Sequence, residues 1–158
     1  MTENFKFYLD ENVPPQVAHA LRAVWKRHVF TTAAKERLLG EKDLELIPVL
    51  SERGHHAIVT FDRNQLGDRI DTEEREALIG ARLHWIGIPT APERMKGSRV
   101  IARATALVIA GLHFVLEEWR SEPHAYHLRE PRVIDDMTPK IERLGDGVAQ
   151  GTDKLARS

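Results

Sequence analysis

The chain has 158 residues and contains no cysteine. Disulfide bonds, thiolate zinc sites and a thiol nucleophile are therefore excluded, and the composition fits a reducing, cytoplasmic compartment. Glycine and proline are not in excess, and 42% of the residues are hydrophobic. That share is enough to bury one core, so a single folded domain is expected.

An excess of charge of one sign is also lacking, since the formal net charge is -1. The chain therefore has no global positive field, and any RNA contact must depend on local patches or bound cations. No basic, apolar leader opens the sequence, which again predicts a cytoplasmic protein. The apolar region at residues 100–119 carries Arg103, Glu117 and Glu118, so the sequence predicts no membrane span and no membrane partner.

Short apolar runs alternate with segments of helical periodicity along the chain. Residues 5–10, 28–32, 57–61 and 83–88 are expected to be strands, and residues 13–27, 44–53, 73–81 and 98–119 helices, with a charged loop at 35–41. This alternation predicts an α/β fold with a parallel sheet and helices on both faces. Residues 126–128 and 132–134 suggest a late hairpin or edge strand. The domain is expected to span residues 1–137, followed by a loosely ordered tail at 138–158.

Acidic residues stand where two predicted strands end. Asp10 and Glu11 follow the first strand, and Asp62 follows the strand at 57–61. The carboxyl ends of parallel strands meet at one edge of a sheet, where ligands bind. Carboxylates that converge there repel one another unless they hold a hard divalent cation, which favours Mg²⁺ or Mn²⁺. Asp43, at the predicted start of the second helix, either caps that helix or leans into the same crevice.

Several polar and basic residues near these acids are candidates for supporting roles. Asn12 and Asn64 directly follow the acids and can hold a water or an acid, Thr60 can hydrogen-bond the loop, and Asn12 is also a candidate cap of the first helix. Cations are needed to contact an RNA backbone. The candidates are Arg63, Arg99 and Arg103, together with Arg69 and Lys96.

Three motifs in this order resemble the PIN-like toxin nucleases related to VapC. They are LDEN at residues 9–12 with two following prolines, GEKD at 40–43, and VTFDRN at 59–64. The resemblance covers residues 5–66, with a looser echo in the strand at 83–88. It implies a metal-dependent ribonuclease, often the toxin of a toxin-antitoxin pair. It also assigns the metal-ligand and catalytic role to Asp10, Asp43 and Asp62.

The sequence departs from that family pattern after the third motif. Where relatives usually have a second acid and then an aromatic residue, this chain has Asn64 and Gln65. Glu11, Asp68 or Asp71 can substitute as the fourth acid. Without a substitute, the site binds one metal poorly or is catalytically silent.

Two other functions remain open from the sequence. One is a PIN-like module that has lost its chemistry and only binds protein or RNA. The other is a receiver-like phosphoacceptor, which pairs acids in the same way, but this chain has no lysine after the strand at 83–88 and the role of Asp43 would be unexplained. Residues 100–114 are apolar around almost the whole helix, which predicts a partner surface for a second copy of the chain or an antitoxin.

Overall fold

The computed structural model describes residues 3–62, 70–130 and 139–146. Six strands form one sheet: β1 (Lys6–Leu9), β2 (Val29–Thr32), β3 (Ala57–Asp62), β4 (His84–Pro89), β5 (His124–His127) and β6 (Lys140–Arg143). Their order across the sheet is β2-β1-β3-β4-β5-β6. The first five are parallel, and β6 pairs with β5 in the antiparallel direction.

Helices cover both faces of this sheet. They are α1 (Pro15–Val24), α2 (Ala33–Glu36), α3 (Asp43–Glu52), α4 (Thr72–Ala81) and α5 (Ser98–Glu117). One core holds α1 and α5 against the sheet through residues such as Leu21 and Leu112. The second core holds α3 and α4 on the other face through Leu50 and Leu78. The predicted α/β fold, with a mostly parallel sheet between two helical layers, is confirmed.

The order in which strands are added to the sheet reverses between β1 and β3. From β1 the chain passes to β2 on one side, and β3 then pairs with the other side of β1. Such a reversal opens a crevice beyond the carboxyl ends of the two strands. Asp10 follows β1 directly, and Asp62 is the last residue of β3, so both acids lie at that crevice.

Two local predictions are corrected near the crevice. Residues 33–36, partly within the expected charged loop, form α2, which begins because the Thr32 hydroxyl oxygen accepts a hydrogen bond from the Lys35 N–H at 3.2 Å. Asn12 does not cap α1, because Pro14 occupies the N-cap position without a side-chain hydrogen bond and Pro15 begins the helix. A proline fits there, since the first N–H groups of a helix need no partner within the helix.

The C-terminal part of the described chain is more ordered than expected. The edge strand is present, but β6 at residues 140–143 pairs with β5, while residues 132–134 lie outside the described residues. Leu144 is fully buried. The expectation of a loose tail is therefore wrong for residues 139–146, and the remainder of that segment lies outside the described part of the chain.

By length and composition, α5 is apolar enough to cross a membrane, with a mean hydropathy of 1.7 over its most apolar window. In the sequence, the charged residues of this segment predict no membrane span. By this measure they do not exclude one. In the fold α5 packs against α1 and buries six residues, among them Leu107, Val108 and Leu112. A buried core helix can have the same length and apolar composition as a membrane span. The contacts of α5 place it in the core of this fold.

Candidate active site

A cavity of about 430 Å³ opens at the carboxyl edge of the sheet, beside the first turns of α3 and α4. Among the described residues that line it, Lys42 is the one basic side chain. Seven lining residues are acidic: Asp10, Glu11, Glu41, Asp43, Asp62, Asp71 and Glu74. The helix N-termini offset part of this charge, because their N–H groups carry partial positive charge. The crevice is nonetheless strongly acidic in a chain of nearly neutral net charge.

Asp10 is held by two hydrogen bonds at the end of β1. The Thr60 hydroxyl donates to Asp10 Oδ2 at 3.0 Å, and the Glu11 N–H donates to Asp10 Oδ1 at 2.8 Å. Thr60 also lies 3.4 Å from Asn12 Oδ1, but its single hydrogen favours the shorter contact. Thr60 is the residue next to Val59, which pairs with Leu9, so the parallel register places its side chain beside Asp10. Thr60 and Asn12, both predicted to support the site, lie in the crevice.

Glu11 joins the loop after β1 to the loop that carries Asp43. Its Oε2 atom accepts a hydrogen bond from the Gly40 N–H at 2.8 Å. Gly40 has a φ of +79°, a conformation that glycine adopts without steric cost. The turn lets α3 begin at Asp43, which lines the crevice, and Lys42 is the N-cap residue. Of the two alternatives for Asp43, the cap is therefore wrong, and the side chain leans into the crevice.

Asp62 lies next to a buried histidine that the sequence had not singled out. His127 Nδ1, at the end of β5, is 3.4 Å from Asp62 Oδ2, and His127 Nε2 is 3.2 Å from Glu142 Oε2 on β6. The backbone carbonyl of Asp62 also accepts a hydrogen bond from the Thr90 hydroxyl. The Asp62 carboxylate, His127 and Glu142 therefore form one line of polar contacts across β3, β5 and β6.

Glu74 is a seventh acid of the crevice and was also missed from the sequence. Burial raises the pKa of its carboxyl and, together with the nearby charges of Asp43, Asp71 and Asp10, brings it to about 7. Such a shift reflects both the burial of this carboxyl and the acids that surround it. Perturbed acids of this kind cluster at functional sites.

The crevice offers the type of ligand atom that a hard divalent cation binds. Its acidic oxygens are the ligands that Mg²⁺ and Mn²⁺ prefer. Among residues 3–62, 70–130 and 139–146, however, no three His, Asp or Glu side chains lie close enough together to hold a metal ion as they stand. The carboxylates line one cavity, and a cation would have to draw them together.

The predicted RNA contacts are only partly placed. Arg103 is mostly buried and is engaged, because its Nη1 donates to the Pro89 carbonyl at 2.6 Å and its Nε pairs with Glu130. The geometry therefore gives Arg103 a role in tying α5 to the end of β4, not in meeting a phosphate. Arg99, one turn earlier, and Lys96 are exposed. The other candidates, Arg63, Asn64, Asp68 and Arg69, lie outside the described residues.

The sequence held only an indirect signal for Glu74. The apolar Leu78 stands four residues later, and residues four apart share one face of a helix. The structure shows that Leu78 is fully buried. An acid on the buried face of a helix points into the protein and not into solvent. For His127 the sequence holds a weaker signal of a functional role. The bounds of its strand were uncertain, and nothing in the sequence distinguishes His127 from His124.

The receiver-like alternative does not fit the last parallel strand. The strand order through β5 is shared with flavodoxin-like and receiver folds, so topology alone does not decide. After β5, however, the chain continues as Leu128-Arg129-Glu130, without the lysine that a receiver needs.

Comparison with known proteins identifies the family. The family model described as a PIN-like domain matches residues 5–90, which is more than half of the chain and includes Asp10, Asp43, Asp62 and Glu74. No curated protein and no solved structure shows significant similarity to the chain. On the strength of the family match, this chain belongs to the PIN-like domain family.

Proposed function

We propose that this chain is a ribonuclease that hydrolyses RNA phosphodiesters with Mg²⁺ or Mn²⁺. The single observation that carries the proposal is the acidic crevice at the switch point of the sheet, in which Glu74 has a pKa of about 7. Carboxylates that line one cavity repel one another, and a bound hard divalent cation would relieve that repulsion. Membership of the PIN-like family supports a nuclease role.

In this proposal Asp10, Asp43 and Asp62 hold the cation, and Glu11 contributes from the rim. When bound, the cation activates a water molecule and stabilises charge on the phosphoryl oxygens. Thr60 keeps Asp10 oriented toward the crevice through its 3.0 Å hydrogen bond. Glu74 takes the place of the acid that is missing at Asn64. Its half-buried carboxyl lines the crevice beside the proposed ligands and would take a proton from the attacking water.

The biological setting that we propose is a cytoplasmic toxin neutralised by an antitoxin protein, with a second copy of the chain as a further partner. The sequence placed the surface for either partner on α5, but six residues of that helix are buried in the core and none of its large apolar side chains is exposed. Its half-buried apolar residues include Ile101, Ile109 and Phe114. The larger exposed apolar side chains of the described residues lie elsewhere, at Val24, Val29, Leu39 and Leu44.

One observation favours a second candidate, a PIN-like module that binds RNA or protein without cleaving it. No three described carboxylates are gathered as they would be around a metal, and Asn64 replaces an acid of the family pattern. Such a module would bind RNA equally well with and without divalent cation.

The deciding experiment is an RNA cleavage assay with Mn²⁺ or Mg²⁺, compared with the same assay in excess EDTA. Asp10→Asn and Asp62→Asn should each lower the rate more than about 100-fold, since even residues that only orient a ligand typically contribute 10- to 100-fold. Glu76→Gln is the matched control, because Glu76 is an exposed acid of α4 that does not line the crevice. Cleavage that persists in EDTA, or in both aspartate variants, removes the metal-nuclease function. RNA binding without cleavage supports the silent module.

A further inference from the structure

A chain of polar contacts leads from Asp62 out of the crevice and into the C-terminal strand. The His127 imidazole lies between Asp62 Oδ2, 3.4 Å from Nδ1, and Glu142 Oε2, 3.2 Å from Nε2. Glu142 Oε1 is in turn paired with Arg75 Nη2 at 2.8 Å. Arg75 Nη1 also donates to the Leu144 carbonyl at 3.3 Å. Carboxylate, imidazole, carboxylate and guanidinium therefore alternate over four elements of the fold.

The members of this chain are fixed in place by burial. His127 is 6% exposed and Arg75 is 4% exposed, so neither side chain is free to turn toward solvent. The Trp85 ring lies against His127, with 5.2 Å between ring centroids, and Trp85 itself lines the crevice. Trp85 on one side and the contacts at both nitrogens hold the His127 ring in one orientation. The fixed ring in turn restricts the orientation of the Asp62 carboxylate.

Asp10 has a comparable partner in Thr60, and the comparison indicates what His127 does. A fixed hydrogen bond to one oxygen of a carboxylate increases its affinity for a cation. The side chain is already ordered before the cation binds, so binding costs less conformational entropy. Thr60 supplies this contact to Asp10 at 3.0 Å. His127 Nδ1, 3.4 Å from Asp62 Oδ2, is placed to supply it to Asp62 in the tautomer that carries a hydrogen on Nδ1. Both contacts lie on the α3 and α4 face of the sheet, where Tyr8, Ile58 and Ala125 are buried.

We infer that His127 is a positioning residue for Asp62, held in turn by Glu142 and Arg75. The inference rests on the proposed function, since it gives His127 a purpose only if Asp62 binds a cation. It extends the site beyond residues 5–90, the part that matches the family model. Strands β5 and β6 then belong to the catalytic apparatus and are not merely an addition to the sheet.

The test is Mn²⁺ affinity, measured by titration calorimetry on the full chain without RNA. His127→Phe keeps the ring volume but removes both contacts, and it should weaken Mn²⁺ binding about 10- to 100-fold. His127→Asn keeps an amide donor near the position of Nδ1, and it should recover part of that loss. Glu142→Gln, which leaves His127 in place without its anionic partner, should weaken binding in the same direction. In the cleavage assay kcat should fall while KM for RNA stays within about twofold, because His127 does not reach the substrate.

A matched control separates positioning from simple stability. His55 is also a buried histidine of the same core face, and its Nε2 lies 3.4 Å from Glu36 Oε1. His55→Phe removes a comparable histidine–carboxylate contact away from the crevice. It should lower the melting temperature but leave the Kd for Mn²⁺ unchanged at temperatures where the protein is folded.

The outcomes distinguish this inference from the function on which it rests. Wild type that binds Mn²⁺ and cleaves RNA, while His127→Phe and Glu142→Gln keep a Kd within twofold of wild type, overturns the inference and leaves the function standing. Wild type that neither binds Mn²⁺ nor cleaves RNA overturns both. Where His127→Phe does not fold, Glu142→Gln decides alone. A loss of affinity in Glu142→Gln supports the positioning role, and an unchanged Kd rejects it.

Discussion

Replacing Glu74 by glutamine should stabilise the metal-free protein at neutral and alkaline pH. The pKa of Glu74 is raised from 4.5 to about 7 in the folded protein, so the fold favours the protonated carboxyl. The contribution of this group to the free energy of unfolding is fully present below pH 4.5, the pKa in the unfolded chain. It is lost as the pH rises through about 7, the pKa in the folded protein. A shift of this size corresponds to at most about 3 kcal/mol at pH 8. Glutamine is neutral at every pH and avoids that cost.

The measurement is the free energy of unfolding of wild type and Glu74→Gln in EDTA between pH 4.5 and 8. The difference between them should be near zero at pH 4.5 and should grow toward about 3 kcal/mol by pH 8, or roughly 6–12 °C in melting temperature. Glu73→Gln is the control, because Glu73 lies in the same first turn of α4 but is exposed and does not line the crevice. It removes a charge from the same helix N-terminus, which costs about 0.3–1 kcal/mol at neutral pH.

Mn²⁺ should narrow this difference in stability at pH 8. A cation that binds only the folded protein adds RT ln(1 + [L]/Kd), about 2.7 kcal/mol at a hundredfold excess over Kd. Wild type should gain this amount, and Glu74→Gln should gain less, because it has lost one charge of the crevice. A Glu74→Gln protein that is less stable than wild type in EDTA at pH 8, or a difference that does not change with pH, refutes the reasoning.

Three further results are expected. Burial, reinforced by His124 and His56, lowers the pKa of His84 to about 4, so its contribution to stability is present above pH 6.5 and is lost as the pH falls toward 4. NMR titration should place its midpoint near 4, and a midpoint near 6.5 would contradict this. Gly40→Ala should destabilise the fold by about 1–2 kcal/mol in urea unfolding because of its positive φ. Gly80→Ala, at an open helical position, should instead stabilise by about 0.5–1 kcal/mol. Thr60→Val removes the hydrogen bond to Asp10 and should weaken Mn²⁺ binding about tenfold by calorimetry without unfolding the protein.

Sequence reasoning located what depends on local pattern. Buried parallel strands are continuous apolar runs, and the acids that end them stand out against such runs. Asp10 and Asp62 could therefore be placed at the switch point before the structure was known. The first turn of α3 followed in the same way, because the GEKD segment precedes a clear apolar helix.

What the sequence did not reveal depends on long-range contacts. β6 contains a single apolar residue, Ile141, because an edge strand has less to bury, so its four residues looked like part of a polar tail. α2 is one turn long and carries no periodicity. Glu74 lies among Glu73 and Glu76, and three acids in one helix suggest a solvated face until the packing of Leu78 is known.

β1 lies between two strands that come later in the chain, and this position has a consequence for the order in which the protein can fold. The strand pairs with residues 29–32 on one side and 57–59 on the other, and the Phe5 ring stacks on Trp119 with 4.3 Å between centroids. Contacts between such distant residues form slowly and only after the later partner has been synthesised. Asp10 is synthesised before Asp62 and Glu74, which line the same crevice, and before Glu142 on β6. The full arrangement of these carboxylates therefore cannot form until β6 has been synthesised.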